Sequence, residues 1–284
     1  MSAIRKVAIA GATGNLGPTI LRQVVDAGFE VTVLTRTEGS SPKLQPYIKV
    51  EVVDYDSLDS LVHALRGQDA LVSTLGSVAL LKQLLLVEAA AKAGVKRFIP
   101  SEFGSNTVHP KTAQLPSFRD KIVVQEALKK EAEKADGLTY SLVAKDKSIT
   151  LWDGGERIFS TTTLSTIGRA VAGVLKHPEE TKNRAVYVQD AAISAKQLLV
   201  IGEKATGTND WKGNVASIDE QVAKGWEELK KPQPNPANFV RNFITAAIWG
   251  EGYGSKFEKL DNDLLGIKEM SEADIAALIR ELRE

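Results

Sequence analysis

The stretch VAIAGATGNLGPTI, residues 7–20, decides the fold of this chain. A short apolar run ends at Gly11, and two further glycines, Gly14 and Gly17, follow before a proline opens a helical pattern. The first glycine permits a tight turn, the second lets the backbone approach a pyrophosphate, and the third lets the helix pack closely on the strand. Free N–H groups and the positive end of the dipole at the helix start favour phosphates. The stretch therefore predicts a nucleotide-binding loop.

Strands and helices alternate along the first half of the chain. Apolar runs predict strands at 6–10, 29–35, 48–54, 70–74, 97–100 and 138–144. Apolar residues at helical spacing predict helices at 18–27, 57–66, 78–93 and 118–135. Strands separated by helices imply right-handed crossovers and parallel pairing. We therefore expect an α/β, Rossmann-type doubly wound parallel sheet.

The second half of the chain is less regular and predicts a smaller α/β substrate lobe. Strands are expected at 158–161 and 185–188, and a proline-rich connection at 230–238. Helices are expected at 164–176, 194–205, 217–230, 239–249 and 272–283. We predict a nucleotide-binding domain over residues 1–147 and the lobe over 148–284, with both strands returning to the main sheet.

A basic residue stands where many nucleotide-binding folds carry an acid. The second predicted strand ends at Thr35 and Arg36, the place from which an Asp or Glu binds the ribose 2′-hydroxyl of NAD. An arginine instead fits a 2′-phosphate through charge-assisted hydrogen bonds, and Lys43 follows after a turn. At about 1.5–3 kcal/mol for each such bond, this predicts NADPH in preference to NADH. The alternative interpretation is that Arg36 is a solvated surface charge.

Further candidate contacts for the cofactor follow the glycine loop and the carboxyl ends of the strands, where such folds bind ligands. Asn15 offers a side-chain donor, and Asp54, which ends the third strand, is either a contact for the adenine or an ordinary loop residue. The remaining candidates are Thr13, Leu16, Thr74, Gly76, Ser101 and Phe103.

Composition and charge exclude several classes of protein. Lys plus Arg equals Asp plus Glu at 36 each, so no overall basic field exists to hold a nucleic acid. The chain has no cysteine, which excludes disulfides and thiolate-bound zinc, and its three scattered histidines predict no metal site. Charged residues interrupt the most apolar region, 78–95, so we expect no membrane span. No signal peptide is visible, and we expect a cytoplasmic monomer or homodimer.

Three segments, VAIAGATGNLGPTI (7–20), VKRFIPSEFGSN (95–106) and FRDKIVVQEAL (118–128), carry a family resemblance. Together they resemble the NmrA-like and isoflavone reductase-like branch of the atypical short-chain dehydrogenase/reductase superfamily, and residues 156–188 resemble its fungal members. The resemblance implies NADPH-dependent reduction of a small phenolic or otherwise aromatic secondary metabolite. It also implies that Lys121, which matches the family's lysine after the PSEFG segment, is the general acid/base.

Two features leave the function open between an enzyme and a sensor. The Tyr-x-x-x-Lys pair of ordinary short-chain dehydrogenases is absent, since Tyr140 and Lys145 are five apart, and this also disfavours a nucleotide-sugar epimerase. After LTYSLVA (138–144) the chain lacks the longer segment with which the family lines its substrate pocket. The retained Lys121 favours a reductase. The shortened segment favours the alternative, a non-catalytic regulator that senses NADP(H) and binds a protein partner.

Overall fold

Seven parallel strands form the main sheet of the computed structural model, which describes residues 3–36, 48–134, 138–144, 151–207 and 215–281. The strands are β1 (Lys6–Ala10), β2 (Glu30–Thr35), β3 (Lys49–Val52), β4 (Ala70–Ser73), β5 (Arg97–Ile99), β6 (Thr139–Ala144), β7 (Leu151–Trp152), β8 (Ile158–Thr161), β9 (Arg184–Tyr187), β10 (Ala191–Ser194) and β11 (Val215–Ala216). The main sheet has the order β3-β2-β1-β4-β5-β6-β9, and each neighbouring pair is parallel. The order reverses between β1 and β4, which creates the crevice where such sheets bind ligands.

Helices cover both faces of this sheet. They are α1 (Gly17–Asp26), α2 (Leu58–Leu65), α3 (Lys82–Lys92), α4 (Pro110–Ala113), α5 (Arg119–Ala132), α6 (Leu164–Lys176), α7 (Ala195–Thr206), α8 (Ile218–Leu229), α9 (Pro236–Trp249) and α10 (Glu272–Glu281). In β1, Val7 and Ile9 face one core, which α1 and α6 complete, whereas Ala8 and Ala10 face the other, which α2, α3 and α5 complete. The doubly wound α/β fold predicted from the sequence is confirmed.

The second half of the chain adds two small sheets and two small cores. β8 pairs antiparallel with β10, and β7 pairs parallel with β11. The prediction that the strand at 158–161 returns to the main sheet is wrong, because that strand is β8 and its partner is β10. The strand predicted at 185–188 is β9, which occupies the edge of the main sheet beside β6. The division between 147 and 148 lies outside the described residues and stays a prediction.

Two helix starts differ from the sequence-based boundaries. The helix expected from residue 78 begins as a short 3-10 turn at Ser77–Ala79, and α3 follows it. The stretch 230–238, expected as a connection, contains the start of α9 at Pro236. The Asn235 side chain accepts a hydrogen bond from the Ala237 N–H at 3.0 Å, and proline suits the first helical position because its φ is already helical. The proline-rich stretch thus encodes a helix start.

Candidate active site

The glycine loop joins β1 to α1 at the carboxyl edge of the sheet, and its glycines are required for different reasons. Gly11 has φ +86°, a conformation that side chains other than glycine rarely adopt. A Cβ on Gly17 would lie 2.3 Å from the Gly11 carbonyl oxygen, so the helix packs on the loop only without a side chain there. A Cβ on Gly14 would meet nothing closer than 3.4 Å, and Gly14 lines the neighbouring cleft. The backbone is therefore open at Gly14, as a bound pyrophosphate requires.

A cleft of about 580 Å³ lies beside this loop, within the range of small-molecule and cofactor sites. Eight sequence-predicted residues line it: Gly14, Asn15, Leu16, Thr74, Gly76, Ser101, Phe103 and Lys121. Ten residues outside that set also line it: Leu75, Ser77, Leu80, Glu102, Gly104, Ser105, Ser117, Phe118, Val240 and Ile244. The last two belong to α9, more than a hundred residues from the glycine loop, and no local pattern signals their approach. Most of the exposed lining is apolar.

Thr74, which directly follows β4, holds the glycine loop in position. Gly11, Thr13 and Gly17 belong to the loop but do not contribute to the described lining. The Thr74 hydroxyl lies 2.8 Å from the Gly11 carbonyl oxygen and 3.1 Å from the Ala10 carbonyl oxygen, so it ties the end of β4 to the loop. Thr74 therefore holds the two strands on either side of the switch point together.

The end of β2 presents Arg36 to solvent, and Thr35 is buried behind it. Tyr55 is buried nearby and its hydroxyl donates to the Leu34 carbonyl oxygen at 3.3 Å. Burial raises the pKa of Tyr55 to about 12, and the positive charge of Arg36 opposes this shift. Arg36 is thus exposed at the edge where a ribose would lie, while Lys43 lies outside the described residues. Binding of a 2′-phosphate by Arg36 stays a prediction.

Asp54 has a local structural role. Its side chain is exposed, and its carboxylate accepts the Asp56 N–H at 2.8 Å in the turn before α2. Its own N–H donates to the Ser60 hydroxyl at 3.0 Å. These bonds explain an Asp at this place without a ligand, and a contact with adenine stays a prediction.

The loop after β5 forms the wall of the cleft that faces the glycine loop. The Ser101 N–H donates to Gln83 Oε1 at 2.9 Å, and the Ser101 hydroxyl donates to the Leu75 carbonyl oxygen at 2.8 Å. Phe103 has φ +21°, an uncommon value for a residue with a side chain, and its ring packs against the core under α1. Side-chain hydrogen bonds and one unusual backbone conformation therefore fix this wall.

Lys121 extends from the first turn of α5 into the same cleft. Its Nζ donates to the Glu102 carbonyl oxygen and lies 4.0 Å from Glu102 Oε2. The Lys121 side chain is 15% exposed, and burial lowers the pKa of its amine, while the negative charge of Glu102 raises it. A Cβ on Gly104 would lie 3.4 Å from the Lys121 Nζ, so the glycine leaves room for this amine. A mostly buried amine beside a nucleotide loop suits proton transfer.

Other candidates from the sequence lie away from the cleft. Tyr140 is buried in β6 among the residues of the core under α2 and α3, and Lys145 lies outside the described residues. His109 precedes α4 and does not contribute to the described lining. In the described ranges, no group of three or more His, Cys, Asp or Glu is arranged to hold a metal ion. Within those same ranges, no helix is both long and apolar enough to cross a membrane.

A parallel sheet with a glycine loop and a cleft at its switch point defines a Rossmann-type nucleotide-binding protein. The chain belongs to the NmrA-like family, whose family model matches residues 4–147. This confirms the resemblance carried by the motifs in the sequence.

Relatives match over nearly the full length of the chain. Oxidoreductase poxI of Penicillium oxalicum is 31% identical over 307 aligned positions that cover 98% of this chain and 94% of poxI. Oxidoreductase aprR of Aspergillus flavus is 32% identical, with 96% of this chain and 98% of aprR covered. The solved structure of AtPrR2 with NADP⁺ and (+)pinoresinol superposes with a TM-score of 0.77 at 20% identity and covers 99% of both chains. These similarities extend the shared fold into the second half of the chain.

Proposed function

We propose that the protein is an NADPH-dependent reductase of a small aromatic metabolite, with Lys121 as the general acid/base. The observation that carries the proposal is that the Lys121 amine, mostly buried, shares one cleft with the open backbone of Gly14. The names of the fungal relatives poxI and aprR support an oxidoreductase. The complex of AtPrR2, a protein of the same fold, with NADP⁺ supports the cofactor.

The residues present fit a dinucleotide phosphate. The opening at Gly14 would hold the pyrophosphate against the N-terminus of α1, and the exposed guanidinium of Arg36 would bind the 2′-phosphate. When bound, NADPH supplies a hydride. As the substrate carbon accepts that hydride, an electron pair moves onto the atom bonded to it, and the Lys121 ammonium gives its proton to this atom and becomes a neutral amine.

The lining of the cleft supports an aromatic substrate. Leu80 and Phe118 are more than a hundred residues away from Val240 and Ile244 in the sequence, yet all four contribute apolar surface to one cavity. A ring buried there loses contact with water at little polar cost, since most of the exposed lining is apolar. The complex of AtPrR2 with (+)pinoresinol, an aromatic compound, supports this substrate class.

Oxidation of NADPH with a panel of phenolic acceptors tests the proposal. We expect turnover, and we expect Lys121→Met to lower kcat/KM by about 10²- to 10⁴-fold, the usual contribution of a positioned acid or base. Lys129→Met changes an exposed lysine of the same helix and should leave turnover unchanged. If Lys121→Met reduced the acceptor as fast as the unaltered protein does, Lys121 would not be the general acid/base.

A second candidate, a non-catalytic NADP(H) sensor that binds a protein partner, is favoured by one observation. The alignment with poxI runs over 307 positions although this chain has 284 residues, so poxI has residues without a counterpart here. A sensor would bind NADPH and NADP⁺ with unequal affinity in calorimetry and would turn over no acceptor. Turnover with any acceptor of the panel decides for the reductase.

A further inference from the structure

A buried carboxylate lies directly behind the proposed acid/base. The Glu102 side chain is only 4% exposed, and its Oε2 is 4.0 Å from the Lys121 Nζ. The two residues come from different elements, the loop after β5 and the first turn of α5. Among the described residues that line the cleft, they are the only two with an acidic or basic side chain. Their pairing is therefore the main electrostatic feature of the cavity.

Hydrogen bonds fix the position of the Glu102 carboxylate. The Thr107 hydroxyl donates to Oε2 at 2.7 Å, and Gln125 Nε2 donates to Oε1 at 3.0 Å. Gln125 Nε2 also lies 2.9 Å from the Thr107 hydroxyl oxygen, which closes a triangle of three buried polar side chains. Both oxygens of Glu102 thus have hydrogen-bond partners, as the two acceptor oxygens of a carboxylate require when they are buried. The triangle holds a negative charge at a fixed distance from Lys121.

Two forces act against the ammonium form of Lys121. Its side chain is mostly removed from water, and it sits in the first turn of α5, where the helix dipole disfavours a positive charge. The cleft around Lys121 is lined by the glycine loop, residues 74–80, the loop 101–105, the turn 116–118 and α9. Of the residues that these segments contribute to the lining, Glu102 alone has an ionisable side chain. Glu102 alone among them counters both forces, through its carboxylate and through its backbone carbonyl, which accepts a hydrogen bond from Nζ.

We propose that Glu102 is a positioning residue that keeps Lys121 charged and aimed into the cleft, so that Lys121 acts as the proton donor. The proposal rests on the reductase function proposed above. Hydride addition to a carbon needs a proton for the atom that takes the electron pair, and a neutral amine cannot give one readily. Without Glu102 the desolvated amine would lose its proton more readily and would act as a base instead. The loop after β5 therefore decides in which direction Lys121 moves protons.

Direct titration of Lys121 tests this without any substrate or cofactor. The free protein is labelled with ¹³C-lysine, the Lys121 signal is assigned by its loss in Lys121→Arg, and its chemical shift is followed against pH. We expect Glu102→Gln, which keeps the shape of the side chain, to lower the pKa of Lys121 by about one to three units. Glu126→Gln removes the same charge from an exposed position of α5 and should leave that pKa unchanged. An unchanged pKa in Glu102→Gln overturns the proposal.

A second variant covers the case in which Glu102→Gln does not fold. Thr107→Val keeps the charge of Glu102 but removes one of the hydrogen bonds that fix it. The pKa of Lys121 should then fall by a smaller amount, and no fall would overturn the proposal.

Activity then separates this inference from the proposed function. Because a proton donor must be charged, kcat/KM falls as the pH rises through the Lys121 pKa, and Glu102→Gln should move this alkaline limb to lower pH by the shift measured by NMR. If the alkaline limb of the kcat/KM profile does not move in Glu102→Gln, the proton-donor role is wrong. If the pKa falls but the unaltered protein reduces no acceptor, the reductase function and the donor role fail, while the electrostatic coupling of Glu102 to Lys121 stands.

Discussion

The two walls of the cleft are built by different means. The glycine loop is held by its own backbone: the Gly14 N–H donates to the Gly11 carbonyl oxygen at 3.0 Å, and Gly17 allows α1 to approach that same oxygen. The loop after β5 is held by side chains, namely the pairing of Ser101 with Gln83 and of Glu102 with its two donors. One wall therefore tolerates no added volume at Gly17, and the other tolerates no lost hydrogen bond. Each of the following variants tests one part of this contrast.

Gly17→Ala should have the largest effect. Its Cβ would lie 2.3 Å from the Gly11 carbonyl oxygen and 2.5 Å from the Ala12 carbonyl carbon, so α1 must move off the loop. We expect a loss of about 3 kcal/mol in the free energy of unfolding, measured by urea titration. A loss below about 0.5 kcal/mol would show that the loop rearranges to accommodate the added methyl group, and the proposed difference between the two walls would be wrong.

Gly14→Ala is the matched variant within the same loop. Its nearest contact, 3.4 Å, is tolerable, so the urea midpoint should hardly change. Because Gly14 lines the cleft, affinity for NADPH should fall at least tenfold in calorimetry. A stable variant with unchanged affinity would mean that the opening at Gly14 does not serve the pyrophosphate.

Arg36→Ala tests the edge of the cleft beside the glycine loop, where β2 ends. Loss of one or more charge-assisted hydrogen bonds should weaken NADPH binding by about 10- to 100-fold and leave NADH binding unchanged. Calorimetry at one salt concentration measures both. Arg22→Ala, on the exposed side of α1, is the control and should alter neither affinity. Equal weakening for the two cofactors would contradict the assignment of Arg36 to the 2′-phosphate.

Gln125→Leu tests the wall held by side chains. It removes a donor from Glu102 and leaves a buried carboxylate with one side-chain hydrogen bond fewer, at a cost of about 1–3 kcal/mol. Urea unfolding measures the loss, and Glu126→Leu at the next, exposed position serves as the control. A neutral result would indicate that water replaces the donor and that the wall is less rigid than its hydrogen bonds imply.

Ser194→Ala should have the smallest effect, because it lies on neither wall. Ser194 and Gln197 form a capping box at the start of α7, in which the Ser194 hydroxyl accepts the Gln197 N–H at 3.2 Å. Loss of the cap should cost about 1 kcal/mol in urea unfolding and leave cofactor affinity unchanged. A change in cofactor affinity would show that the lobe and the cleft are coupled.

The sequence predicted the first half of the fold more closely than the second. Apolar runs between glycine turns define β1, β2 and β4, since buried parallel strands show the pattern directly. β7 and β11 were not predicted, because strands of two residues carry no pattern of their own, and β10 was not predicted because it leads directly into α7. The partner of β8 could not be predicted either, because pairing depends on which sheet edge is free once the other strands are in place.

The candidate site divides in the same way. The sequence alone determined the glycine loop and Arg36 at the end of β2, because each follows from a local motif, whereas Lys121 became a candidate only through the family resemblance. Only the tertiary structure decided that α9 closes the cleft, that Gly104 leaves room for the Lys121 amine, and that Glu102 stands behind it. These contacts join residues that are distant in sequence or that face each other only after α5 packs on the sheet. Local patterns encode elements, whereas the charge felt by a buried lysine depends on everything packed around it.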